Sequence, residues 1–291
     1  MSLSLDPSNP GGDANAKFLA VACELAYLPE AAGQPGFRER LGLDAILISV
    51  DNTQAYVAQN DETILVAFRG SEAPDTLDGI KDWLLTNANN FLILPEGQIG
   101  TDFASAGVGA RFHKGFLQAL ADIWEPLYAA VDASVKIKER PLWITGHSLG
   151  GALAIVAAWR FQRNFLSVHQ ITTFGAPMVG NEAASEAFKA EFPGKITRYV
   201  DALDLVPLLP SVSLIANLYT HCLSEQVLHA PEGTTTVGAS DVVKSMAGRA
   251  ADGILSMTLI DEFWGQVTNR IAHHMVDNYQ ARIDERCKTS S

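Results

Sequence analysis

The chain has 291 residues, 47% of them hydrophobic, and a formal net charge of −12. That is long and apolar enough to bury a large core, and of the wrong sign for a nucleic-acid footprint or for docking on anionic lipid by charge. Charged residues make up 19%, below the ~25% usual for soluble domains, which leaves neutral lipid and small esters open as partners. Three cysteines, Cys23, Cys222 and Cys287, share no CxxC spacing and form neither a disulfide framework nor a zinc site.

Residues 1–13 are rich in Ser, Pro and Gly and read as a flexible tail. They lack the basic start and apolar segment of a secretory signal, which points to a cytoplasmic protein or to a trimmed secreted one. No apolar run approaches the ~18 residues of a membrane span. Ala14 to Leu28 carries apolar residues at helical spacing, Cys23 among them, and Pro29 ends the pattern. Ala45–Val50, Ala55–Gln59 and Thr63–Phe68 read as strands, with Asn60-Asp61-Glu62 turning a hairpin between the last two.

The irregular stretch from Glu72 to about Gly109 holds one short helix near Ile80–Leu85 and an apolar patch, Phe91 to Leu94. A loop this long is usually functional, and the patch suits either a lid over 86–110 or an ordered edge strand. Phe112 to Lys138 is strongly amphipathic, with Pro126 predicting a kink or break. Strands at Gln170–Phe174 and Lys195–Val200 alternate with a helix at Asn181–Phe192, which implies a doubly wound, largely parallel sheet after an antiparallel hairpin. Tyr219–Leu228 reads as an edge strand or hairpin. An insert over 211–266 holds an amphipathic stripe from Asp241 to Trp264, and Gln266–Arg282 reads as one final helix.

Between the long amphipathic helix and Gln170 lies the most informative stretch. Leu142 to Thr145 is a short apolar run, Gly146-His147-Ser148-Leu149-Gly150 follows without a spacer, and Ala152 to Phe161 is helix-forming. About one chain in ten of this composition carries Gly-x-Ser-x-Gly by chance, so the flanking strand and helix are what make it a nucleophile elbow. A serine hydroxyl needs a base, and the base an orienting acid. The acids at the next strand end are Asp201 and Asp204, and position does not choose between them. Of seven histidines, His221, His229, His273 and His274 follow these acids; the first two read as polar surface. His147, inside the elbow, is expected to point away from the active face and to have a supporting or structural part. The oxyanion donors are the N–H of Leu149 and a group on the loop after Thr63–Phe68, where Ser71 sits.

Taken together, Phe68-Arg69-Gly70-Ser71, Asp82-Trp83, His113-Lys114-Gly115-Phe116, Thr145 to Ala154, Thr173-Phe174-Gly175-Ala176-Pro177 with Gly180-Asn181, and Asp204-Leu205-Val206-Pro207 resemble the class 3 lipases, related to the fungal triacylglycerol lipases. The resemblance spans roughly residues 15 to 283 and implies an α/β-hydrolase fold, a mostly parallel sheet with helices on both faces, as one domain over 14–291. It implies Ser148 as nucleophile, Asp204 as acid, Ser71 and Leu149 as oxyanion hole and a mobile lid before His113. The family's histidine block, His-x-Met-x-x-Tyr, matches His274 counting back from Tyr279 and His273 counting from Met275. His274 is chosen because its helical partners Val276 and Tyr279 fall on the apolar side, and His273 is the alternative base. Two stretches depart from the pattern: Ser71 to Trp83 is long and acidic, and 211–266 is long. The implied activity is lipase hydrolysis of an acyl ester at a lipid–water interface, with short-chain esterase or phospholipase A1 as alternatives and an acyltransferase, a peptidase or a binding module further away. The chemistry requires no cofactor and no metal; oligomeric state is not legible.

Overall fold

In the computed structural model, residues 3–71, 92–107, 109–209, 219–221, 225–228, 238–239, 241–242 and 257–289 are described. Helix α1 (Asp13–Leu25) buries Phe18, Leu19, Ala22 and Leu25, and α2 (Glu30–Leu41) follows from Pro29, which occupies its N-cap. Three strands come next, β1 (Asp44–Val50), β2 (Thr53–Gln59) and β3 (Ile64–Phe68), paired antiparallel in that order. Two-residue strands β4 (Leu92–Ile93) and β5 (Phe112–His113) flank the short helix α3 (Gly97–Phe103). Helix α4 (Lys114–Ile137) leads to β6 (Leu142–His147), α5 (Leu149–Arg163), β7 (Val168–Phe174), the short β8 (Gly180–Asn181), α6 (Glu182–Glu191) and β9 (Ile196–Asp201). Strands β10 (Tyr219–Thr220) and β11 (Glu225–Leu228) precede α7 (Met257–Asn269), α8 (Ile271–His274) and α9 (Val276–Thr289).

The main sheet has the order β1-β2-β3-β6-β7-β9-β11, with β3 through β11 parallel. It is an α/β fold with helices on both faces. Strand β3 shows why. Every residue of it is buried, as a strand covered on both sides must be. Ile64, Val66 and Phe68 point into the core built with α4 and α5. Leu65 and Ala67 point into the core shared with α1, α2 and α9. The parallel register sets Phe68 beside Gly146 and His147 beside Phe174. The loops after β3, β6, β7 and β9 therefore emerge together at one edge.

Several expectations need correction. Helix α4 runs through Pro126 unbroken. The proline lies on the exposed face, where the carbonyl it leaves without a donor can bond water. Residues 3–12 are not a loose tail. Asn15, 1% exposed, donates to the Asp6 and Asn9 carbonyls and accepts from the Asp6 N–H, and Leu3 and Leu5 pack on the core. Tyr219–Leu228 serves two sheets, since β10 pairs with β8 while β11 forms the parallel edge beside β9. His221 is not polar surface either. Its Nε2–H donates to the Pro207 carbonyl, and burial pushes its pKa down to about 3.

Within the expected lid, Leu92–Ile93 pair with β5 as the edge strand. Residues 97–106 are anchored rather than loose. Phe103 is buried against Phe112 and Trp159, and Asp102 takes the Arg160 Nε at 2.8 Å while its carbonyl accepts from the Trp159 indole. The rest of the lid (86–91), Asp82, Trp83, the helix at Ile80–Leu85, Cys222, His229 and most of the 211–266 insert lie outside the described residues. Cys287 is half-buried on the last helix, and Cys23 is buried with its Sγ 3.3 Å from the Thr145 hydroxyl. Among the described residues no helix is long and apolar enough to cross a membrane.

Candidate active site

Strand β6 is buried along its whole length and turns into α5 within one residue. That residue is Ser148, held at φ 56° and ψ −130°, a conformation a side chain adopts only where the surroundings enforce it. The enforcement is local. The Ser148 N–H donates to the Phe174 carbonyl at 2.9 Å, and the backbones on either side are pressed together. A Cβ on Gly146 would sit 2.2 Å from the Gly150 carbonyl, and one on Gly150 would sit 2.4 Å from the Phe68 carbonyl. The spacing Gly-x-Ser-x-Gly is thus a packing requirement that presents the serine above the sheet.

The acid comes from the turn after β9. Asp204, 1% exposed, keeps Oδ1 for the Val206 N–H at 2.9 Å. Its Oδ2 faces His274 Nδ1 at 2.8 Å and the Tyr279 hydroxyl at 2.7 Å. A buried carboxylate is tolerable only with such partners. The Tyr279 phenol is raised well above its usual range by burial first and by the Asp204 charge second, so it stays a donor. Gly175, at φ +59°, lets the chain pass this cluster; a Cβ there would lie 3.0 Å from the Tyr279 hydroxyl and 3.1 Å from Asp204 Oδ2.

His274 closes the line. Its Nε2 stands 2.8 Å from Ser148 Oγ. A carboxylate only accepts, so Nδ1 carries the hydrogen toward Asp204 and the Nε2 lone pair faces the serine hydroxyl. Serine, imidazole and carboxylate are therefore in one hydrogen-bonded line, an arrangement able to take the proton from Oγ as it attacks a carbonyl.

His274 was chosen on a helical-face pattern, and that ground does not hold. The expected helix over 266–282 is three pieces, and the chain breaks just after His274, where Met275 is extended at φ −64° and ψ 142°. The break has a cause: Asn278 Nδ2 caps the His273 carbonyl at 2.9 Å and bonds Asp201 Oδ2 at 2.9 Å. Asp201, the acid that position could not separate from Asp204, is fully buried and occupied elsewhere. It accepts from the Leu203 N–H, Asn278 and Arg282. It anchors the segment carrying the histidine. His273 is half-exposed and enters this anchoring through its main chain.

Ser71 ends the described part of the loop after β3, and its Oγ is buried without a hydrogen-bond partner among the described residues. Leu149 opens α5, where the first N–H groups have no acceptor within the helix. These are the two places expected to supply oxyanion donors. Sequence reasoning missed Tyr27, whose hydroxyl meets His147 Nδ1 at 2.8 Å. It also missed the hydroxyl role of Tyr279. Tyr27, in the turn after an apolar helix, carries no local signal of such a contact, and the spacing that picks out Tyr279 says nothing of its hydroxyl.

Comparison with known proteins bears on the family and the fold. The family model for lipase (class 3) matches residues 65–214, just over half of the chain. Over 123 residues the chain is 32% identical to secreted mono- and diacylglycerol lipase 3 of Gibberella zeae, covering 41% of this chain and 37% of that protein. Over 165 residues it is 34% identical to secreted mono- and diacylglycerol lipase 1 of Fusarium solani, covering 54% of this chain and 43% of that one. The chain thus spans less than half the length of these curated relatives. A solved triacylglycerol lipase from Penicillium expansum shares the fold, with a TM-score of 0.58 over 81% of this chain and 84% of that one, at 20% identity. The extent of the family match settles the classification: the chain belongs to the class 3 lipases.

Proposed function

We propose that this chain is a serine carboxylester hydrolase that cleaves acylglycerol esters, and that it acts as one α/β-hydrolase unit over residues 14–291. The observation that carries the reading is the line from Asp204 through His274 to Ser148, with 2.8 Å at each junction. Ser148 Oγ attacks the ester carbonyl while His274 Nε2 takes its proton. The tetrahedral oxyanion lies against the Leu149 N–H and the Ser71 loop. Collapse expels the alcohol, which receives the proton from His274, and leaves an acyl-serine. A water deprotonated by His274 then releases the fatty acid and restores the hydroxyl. Asp204 holds the imidazole and stabilises its charged form throughout. The net charge of −12 and the low share of charged residues support an uncharged ester over an anionic phospholipid.

The test is an acyl-chain-length series of glyceryl and p-nitrophenyl esters, each measured below and above the concentration at which substrate aggregates. The expected result is hydrolysis that favours chains long enough to aggregate and rises once an interface forms. A preference for two- to four-carbon acyl groups with no rise would replace the lipase reading by a soluble esterase. Cleavage of diacyl phospholipids alone would replace it by a phospholipase A1.

A further inference from the structure

The reaction scheme leaves one buried pair without a role. His147 is 1% exposed and packs beside the base, its ring centroid 4.8 Å from that of His274 and 5.8 Å from that of Tyr279. Its Nε2 meets the main-chain carbonyl of His274 at 2.6 Å. A carbonyl can only accept, so Nε2 carries the hydrogen. Nδ1 of the neutral ring is then an acceptor, and the Tyr27 hydroxyl at 2.8 Å must donate to it. Burial, followed by the neighbouring His274 imidazole, lowers the His147 pKa to about 3, which keeps the ring in this neutral form. The Tyr27 hydroxyl also packs against the backbone of Gly70. The fit there is close, since a Cβ on Gly70 would lie 2.1 Å from that hydroxyl and 2.9 Å from the His147 carbonyl.

We propose that Tyr27 and His147 are positioning residues, a hydrogen-bonded brace that holds the oxyanion loop, the nucleophile and the base at fixed distances from one another. Each end of the brace touches a reacting element through an immediate neighbour. Gly70 precedes Ser71, His147 precedes Ser148, and the carbonyl held by His147 belongs to His274 itself. The need is specific to His274. It sits at the end of a four-residue helix, before an extended Met275, where a helix ladder cannot fix it. Asp204 orients its ring; His147 fixes the backbone from which that ring hangs. Tyr27 lies outside the family match at 65–214, so this contact reaches the site from the turn after the N-terminal helix. Displacements of about 1 Å between reacting groups can cost on the order of 100-fold in rate, which sets the size of the effect.

The inference rests on Ser148-dependent ester hydrolysis, so wild type and Ser148→Ala are assayed beside the variants. Tyr27→Phe removes the donor to His147, and is expected to lower kcat about 10-fold with KM within about twofold. His147→Leu is expected to lower kcat about 100-fold. His147→Gln, whose amide can still donate to the His274 carbonyl, should recover most of that loss. Urea midpoints measured in parallel separate positioning from folding, and ¹⁵N spectra of labelled histidine should report His147 as a neutral Nε2–H ring in the wild type. Should His147→Leu fail to fold, Tyr27→Phe and His147→Gln still decide. If Ser148→Ala abolishes hydrolysis while Tyr27→Phe keeps wild-type kcat, the brace is wrong and the proposed function stands. A kcat loss that only tracks the folded fraction, an effect on KM alone, or a His147 ring protonated at Nδ1 overturns it as well. Wild-type hydrolysis indifferent to Ser148 would overturn both.

Discussion

Replacing His274 by alanine lowers kcat for ester hydrolysis by about 10⁵-fold, and the same change at His273 leaves kcat within about threefold. The two residues are adjacent, and the separation comes from geometry. His274 is 2% exposed, with one ring nitrogen on Asp204 and the other on Ser148. Without it the Ser148 proton has no acceptor, and attack would require a free alkoxide far above the working pH. Only the oxyanion donors and substrate binding would remain. His273 is half-exposed and holds its loop through a carbonyl that alanine keeps. Steady-state kinetics on one ester at several pH values checks the pair. Equal losses, or the larger loss at His273, would move the base.

Ser148→Ala is expected to lower kcat by about 10⁶-fold with KM little changed, because the hydroxyl forms the acyl bond itself. Folding should survive the change. The strained backbone at φ 56° is held by the Ser148 N–H on Phe174 and by the flanking glycines, and alanine keeps the N–H. A far-UV spectrum and a urea midpoint close to wild type, alongside the kinetic loss, separate chemistry from stability. A residual rate above the 10⁻³ level would show that another nucleophile or a direct water attack operates.

The parallel core was legible because strands covered on both faces are continuous apolar runs, as in Ile64–Phe68 and Leu142–Thr145. The elbow was legible because its glycines answer a steric demand that only glycine meets. Helix α2 was not. Its sequence includes Gly33, Pro35 and Gly36, which argue against a helix in isolation. In the fold a Cβ on Gly33 would sit 2.2 Å from the Tyr56 hydroxyl, and one on Gly36 would sit 2.6 Å from Leu25 Cδ2. Tertiary packing there overrides propensity.

The C-terminal helix shows the opposite failure. Its apolar period continues across residues 266–282, but a side-chain cap from Asn278, itself held by Asp201, interrupts the backbone at Met275. Periodicity reports which face is buried and says nothing about such a break. Choosing between Asp201 and Asp204 required the resemblance for the same reason. Both are buried at one strand end, and only their partners, Arg282 and Asn278 for one and His274 and Tyr279 for the other, tell them apart. Tyr27 and His147 are 120 residues apart in sequence, and their contact exists only once α1 lies against β6.

The central claim is that Ser148 is the nucleophile of an ester hydrolase, and covalent labelling tests it most directly. A p-nitrophenyl alkylphosphonate ester mimics the tetrahedral intermediate and leaves its phosphorus on an activated serine. Incubated with the wild-type protein, it should release close to one equivalent of nitrophenol per chain as hydrolytic activity disappears, and mass spectrometry should place the phosphonyl group on the peptide containing Ser148. Ser148→Ala and His274→Ala should stay unlabelled over the same time. Labelling at another residue with full loss of activity, or no labelling of a protein that hydrolyses esters, would contradict the account.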